Sequence, residues 1–176
     1  SLLLEQLGAK DAKKEAAQLV SQISRAKDDG QSPEAFMASA TASGLDFRIR
    51  AAEIYRRYEL KLKEAGALDF GDLLVKTLQL LREHEDVQEY YQQFFQYVLV
   101  DEYQDSNFVQ EELIRALSAA RFGRPDVFQV GDVKQSIYSF RQARPDLFLM
   151  KYQDPDYPKI ELSRNFRSRN EVVRAV

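Results

Sequence analysis

Val98-Leu99-Val100-Asp101-Glu102-Tyr103-Gln104-Asp105 sets the architecture expected of this 176-residue chain. Three apolar residues that read as a buried parallel strand run into two adjacent carboxylates, and a third acid, Asp105, closes the block where a helix should begin. In open α/β sheets ligands bind outside the carboxyl ends of the strands, so these acids stand at the mouth of a site. One carboxylate of such a pair can hold Mg²⁺ against phosphate oxygens while its neighbour orients or deprotonates an attacking water. Acids at a strand-to-helix turn also serve as plain caps, and the octet alone leaves both readings open.

Downstream, helix and strand alternate. Ser106 or Asn107 can cap a helix carrying Val109, Leu113 and Leu117, with Asn107 and Gln110 in capping-box spacing, and that helix ends by Gly123-Arg124-Pro125. Asp126 to Val130 reads as a second buried strand, and Lys159-Ile160-Glu161-Leu162 as a third, short one. The alternation predicts an α/β fold with a parallel sheet and right-handed crossovers.

Upstream the chain reads as helix after helix, an N-terminal all-helical subdomain over residues 1–67 followed by the sheet-bearing part over 68–176. The first helix stops at Asp28-Asp29-Gly30; Ser32-Pro33 starts a short one that runs to about Ser43 and is punctuated by Gly44. A longer helix from about Phe47 carries Ala51, Tyr55, Tyr58 and Leu62 as one apolar stripe and stops near Gly66. No residue of this region looks chemically committed. Asp69 caps the next helix and Asp72 falls in its first turn, where the helix dipole favours negative charge, so capping accounts for both acids. A further helix spans about Val87 to Phe94, and Tyr90, Tyr91, Phe94 and Phe95 are expected to pack in the core.

Composition narrows the function classes. Apolar residues at 44% and charged ones at 30% fit a folded globular chain rather than a disordered one. No apolar run reaches the length of a membrane span and the first residues lack the basic flank of a signal peptide, so a cytoplasmic protein with no membrane partner is expected. With no cysteine and a single histidine, His84, placed on a solvated helix end, the chain has neither a thiolate metal site nor a Ser-His-Asp triad. A net charge of -3 argues against nonspecific coating of nucleic acid. Any such contact must come from a local patch, and Arg121, Arg124, Lys134, Arg141, Arg144, Arg164, Arg167, Arg169 and Arg174 crowd the last third, where a solvated charged surface is the competing reading.

Gly131 to Ser136 does not make a phosphate-binding loop, because Val133 precedes Lys134 and Gln135 follows it where Gly-Lys-Ser/Thr is needed. No other segment supplies that pattern either, so either the site was never an ATPase or the chain is a piece of a larger one, expected to be inactive by itself. The motifs bear on that choice. Val98 to Asn107 resembles motif II of the superfamily 1 DNA helicases of the UvrD/Rep type, Val130 to Arg141 their motif III, Leu162 to Ser168 their motif IV, and Leu68 to Leu74 the acidic block upstream. Asp-Glu-Tyr-Gln-Asp-Ser-Asn-x-Val-Gln-Glu, Val133-Lys134, Pro145-Asp146-Leu147-Phe148 and Asn165-Phe166-Arg167-Ser168-Arg169 are most similar to the AddA branch of that family, the helicase-nuclease subunits.

The resemblance implies a partial RecA-like P-loop NTPase motor domain over 68–176, with the helical residues 1–67 as an inserted subdomain. It implies a parent that couples hydrolysis of Mg²⁺-bound ATP to movement on single-stranded DNA, acts on duplex DNA in recombination and double-strand-break repair, and works with a second, AddB-like subunit. In that scheme Asp101 holds Mg²⁺, Glu102 activates water, Gln135 senses the γ-phosphate and Arg167, just ahead of the Ser168-x-x-Glu171 capping box, neutralises phosphate charge. Phe166 stacks on adenine or fills the core. Tyr138 and Phe140 offer faces to successive bases, and Arg141 links motif III to the motif II acid. No nuclease motif is present, so a UvrD/Rep-type repair helicase without a nuclease stays open, as does a non-catalytic module that binds DNA or a partner.

Overall fold

The computed structural model describes residues 12–120, 123, 125–135 and 143–162. Among these, five helices precede the first strand: α1 (Ala12–Asp28), α2 (Pro33–Ser43), α3 (Asp46–Glu64), α4 (Phe70–Glu83) and α5 (Glu85–Phe94). Then come β1 (Val98–Val100), a 3₁₀ turn at Tyr103–Asp105, α6 (Phe108–Leu117), β2 (Val127–Gln129), a second 3₁₀ turn at Val133–Gln135 and α7 (Pro145–Gln153). The fold is mostly helical with a small parallel sheet, an α/β arrangement.

Local signals set the helix ends. Ser32 accepts from the Ala35 N–H at 3.2 Å with Pro33 behind it, and Gly44 closes α2 in the left-handed conformation at φ 65°. Asp69 and Asn107 each form a complete capping box, with Asp72 and Gln110 respectively. The stripe on α3 packs as its spacing predicts: Ala51 and Tyr55 are buried in a cluster with Leu19, Ile23, Phe36 and Ala40, and Tyr58 lies against it. A second cluster holds Leu78 and Leu81 of α4 against Val109 and Ala116 of α6. No helix among the described residues is long and apolar enough to cross a membrane.

β1 and β2 pair in parallel with Val98 opposite Val127 and Val100 opposite Gln129. Three expectations need correcting here. Neither strand is buried on both faces: Leu99 is 75% exposed and Phe128 57%, because the described sheet has two strands and one bare face. Residues 159–162 form no strand; Ile160 and Leu162 are exposed, and no described strand lies beside them to complete a ladder. The aromatics of α5 do not enter the core. Its inward positions are one helical turn apart at Gln88 and Gln92, which both donate to the Ala116 carbonyl at 3.1 and 2.8 Å. That phase turns Tyr90, Tyr91, Phe94 and Phe95 outward, where Tyr90 stacks on Phe94 and Tyr91 on Phe95.

The upstream helices and the acidic segment meet at Asp28 and Asp29, at the end of α1. Asn107, the cap of α6, donates from Nδ2 to Asp28 Oδ1 at 3.0 Å, and Arg144 reaches Asp29 at 3.4 Å. Burial, with the Asp29 charge beside it, pushes the Asp28 carboxyl up from 3.8 to about 6. The native state therefore binds an extra proton between those values. The stability this contributes is full below pH 3.8 and is lost as the pH rises through about 6. Asp28→Asn keeps an oxygen acceptor for Asn107 and removes the charge. It is expected to stabilise the chain at pH 7.5 by about 1 kcal/mol, allowing for solvent screening, and by much less at pH 5. Thermal melts at the two pH values check it; equal gains at both would place the effect elsewhere.

Candidate nucleotide-hydrolysis site

The parallel ladder continues past the ends of both strands and delivers the acids. Val130 N–H donates to Val100 O at 2.8 Å and Tyr103 N–H to Val130 O at 2.9 Å, so the backbone on both sides of Asp101-Glu102 is tied to the end of β2. Between those ties Glu102 takes φ 51°, ψ 38°, the one non-glycine residue with positive φ among those described. A glutamate in the left-handed region costs on the order of 1–3 kcal/mol, and such conformations persist where surrounding contacts over-determine them, commonly at active sites.

Asp101 and Glu102 are both exposed. Asp101 Oδ1 accepts the Glu102 N–H at 2.9 Å. Gln104 donates from Nε2 to Glu102 Oε2 at 2.6 Å, leaving Oε1 without a hydrogen-bond partner among the described residues. Gln104 is almost fully buried at 1% exposure, and its Oε1 accepts the Asp132 N–H at 3.0 Å. Asp132 in turn accepts from Gln135 Nε2 at 3.1 Å. A continuous chain of hydrogen bonds therefore runs Glu102, Gln104, Asp132, Gln135, joining two loops well separated in sequence.

Gly131 makes that approach possible. A Cβ there would stand 2.5 Å from Gln104 Oε1, 3.0 Å from the Phe148 ring and 3.2 Å from the Gln104 backbone nitrogen. Gly131→Ala is expected to push Gln104 aside, destabilising the chain by about 1–3 kcal/mol as overpacking does. A thermal melt reads the loss, and a midpoint equal to that of the unsubstituted chain would show that the turn yields.

Asp101, Glu102 and Gln135 are thus brought to one edge of the sheet. Tyr138, Phe140, Arg141, Phe166 and Arg167 lie outside the described residues, as do Ser168 and Glu171. No group of three or more acids or histidines is gathered to enclose a metal among the described residues. Mg²⁺ does not require one: it commonly takes one or two carboxylates and completes its octahedron with water and phosphate oxygens, and an exposed Asp101 carboxylate fits that donor set. Sequence reasoning missed Gln104 and Asp132 as links, although both stand inside the quoted motifs.

The chain matches the UvrD/REP helicase N-terminal domain over residues 2–156. It belongs to that family. Relatives include an ATP-dependent helicase/nuclease subunit of the AddA type from Ruminiclostridium cellulolyticum, 46% identical over 135 residues that make up 69% of this chain and 11% of the relative. The protein of the same name from Staphylococcus aureus is 38% identical over 178 residues, 93% of this chain and 15% of the relative. This UvrD/REP segment therefore spans between about a tenth and a sixth of the length of such relatives.

The UvrD/REP segment also holds a charged centre that its sequence did not advertise. Lys27, 3% exposed, pairs with Glu59 at 2.7 Å, Asp69 at 2.8 Å and Asp72 at 2.7 Å, tying α1 to α3 and α4. Burial alone would lower the Lys27 ammonium, but the hydrogen bonds it donates to Asp69, Asp72 and Glu59 outweigh it and hold the charge on. Capping is thus half of what Asp69 and Asp72 do, the other half being to hold Lys27.

Proposed function

We propose that this segment is part of the motor of an ATP-dependent DNA helicase-nuclease of the AddA type, acting in recombination and double-strand-break repair. Residues 68–176 belong to a RecA-like nucleotide-binding domain and residues 1–67 to a helical subdomain inserted in it. The supporting observation is the hydrogen-bond chain from Glu102 through Gln104 and Asp132 to Gln135, which joins the hydrolytic acid to an amide in the neighbouring loop.

In this reading Asp101 holds Mg²⁺, which when bound neutralises charge on the β- and γ-phosphates of ATP. Glu102 takes the proton of the attacking water on Oε1, its other oxygen being fixed by Gln104. Gln135 faces the terminal phosphate and, when that group departs, its altered hydrogen bonding passes to Asp132 and Gln104. Arg167 supplies a bidentate cation to the phosphates and Phe166 a stacking face for adenine. Tyr138 and Phe140, three and five residues after Gln135 in sequence, stack on single-stranded DNA, and Arg141 couples that segment to the acidic turn. The parent protein works in the cytoplasm, and its partners are duplex DNA together with a second, AddB-like subunit.

The reading is tested on the full-length protein by steady-state ATP hydrolysis with and without single-stranded DNA. Stimulation by DNA is expected; turnover indifferent to DNA would overturn the translocase assignment. Tyr138→Ala with Phe140→Ala should weaken single-strand affinity by at least about 30-fold, at about 1–3 kcal/mol for each of two stacked bases. Unchanged affinity would remove the stacking role.

A further inference from the structure

The contacts that hold Glu102 in its left-handed conformation converge on a residue that touches neither acid. Tyr103, next to Glu102 and 2% exposed, donates its hydroxyl to Glu111 Oε2 at 2.6 Å. Glu111 stands in the first turn of α6, where the helix dipole favours its charge, and is itself buried. Its other oxygen pairs with Lys151 Nζ at 2.7 Å. The same ammonium donates to Gln129 Oε1 at 3.0 Å, at the end of β2, and lies 4.7 Å from the centroid of the Tyr103 ring. Phe148, one turn earlier on α7, packs on that ring at 5.9 Å. One cation from α7 thus grips β2, α6 and the acidic turn together.

We propose that Lys151, acting through Glu111 and Tyr103, is a positioning residue that fixes the turn at Glu102 and so aims its carboxylate at the attacking water. The proposal rests on the assignment of Glu102 as the base. Its physical reason is the steep dependence of proton abstraction on placement, since a shift of about 1 Å can cost about 10²-fold in rate. Tyr103 cannot swing away while its hydroxyl is held by a carboxylate that is itself held by Lys151, and the backbone of Glu102 moves only with Tyr103.

The test is ATP turnover by the full-length protein carrying Tyr103→Phe, Lys151→Met or Lys151→Arg, with Glu102→Gln as reference. Tyr103→Phe and Lys151→Met are each expected to lower kcat about tenfold, equivalent to about 1.4 kcal/mol, with KM for ATP within twofold of the unsubstituted protein. Lys151→Arg, which keeps the cation, should recover most of the rate. If Lys151→Met does not fold, Tyr103→Phe decides alone, because it removes one oxygen and no packing. A kcat within twofold of the unsubstituted protein for Tyr103→Phe, while Glu102→Gln abolishes turnover, would overturn the positioning role and leave the base assignment standing. Full turnover by Glu102→Gln would remove the base assignment and this proposal with it.

Discussion

If the proposed motor assignment holds, Glu102→Gln in the full-length protein is expected to cut DNA-stimulated ATP turnover by about 10²–10⁴-fold, the range a general base contributes. The substitution is close to isosteric, and Gln104 still finds an oxygen to donate to, so the left-handed turn and the link to Asp132 should survive. What disappears is the basic oxygen. Nucleotide affinity, measured separately by equilibrium binding of a fluorescent ATP analogue with Mg²⁺, should stay within a few-fold, because Asp101 is untouched. Turnover within threefold of the unsubstituted protein would exclude Glu102 as the base.

The second large effect concerns stability. Lys27→Met leaves Glu59, Asp69 and Asp72 crowded together with no cation, two of them in the capping box of α4. Removing one side of a buried ion pair costs about 3–5 kcal/mol, because the charges left behind have lost both water and partner. At about 2–4 °C per kcal/mol for a chain of this size, the thermal midpoint should fall by roughly 6–20 °C. Asp72→Asn placed on top of Lys27→Met should recover part of that loss, since Asp72 is the most buried of the three carboxylates. A midpoint lowered by less than 2 °C would mean that water reaches the cluster and screens it.

These two residues mark the limit of what could be read before the fold was known. Caps at Ser32, Asp69 and Asn107 are legible because each depends only on the three residues that follow it. The acidic pair is legible for the same reason: an apolar strand and its acids are contiguous. Lys27 is different, since Asp69 and Asp72 lie 42 and 45 positions away and nothing near Lys27 hints at them. The amide of Gln104 acts on Asp132 across 28 positions, so its part in the site waits on the parallel pairing of β1 with β2. The α5 aromatics failed for a separate reason. Apolar character was weighed there without helical phase, and phase gives the inward positions to Gln88 and Gln92. The missing third strand is a matter of neighbours: Lys159 to Leu162 has the composition of a strand, but pairing needs a ladder beside it.

The uncovered side of the two-stranded sheet has a practical corollary for handling this polypeptide. Leu99 and Phe128 are opposite one another in the register, so the greasy surface they make is continuous and flat rather than scattered. With this face open among the described residues, a preparation of this chain is expected to cluster through that surface. Its colloidal behaviour, not the integrity of its helices, would then set the working concentration.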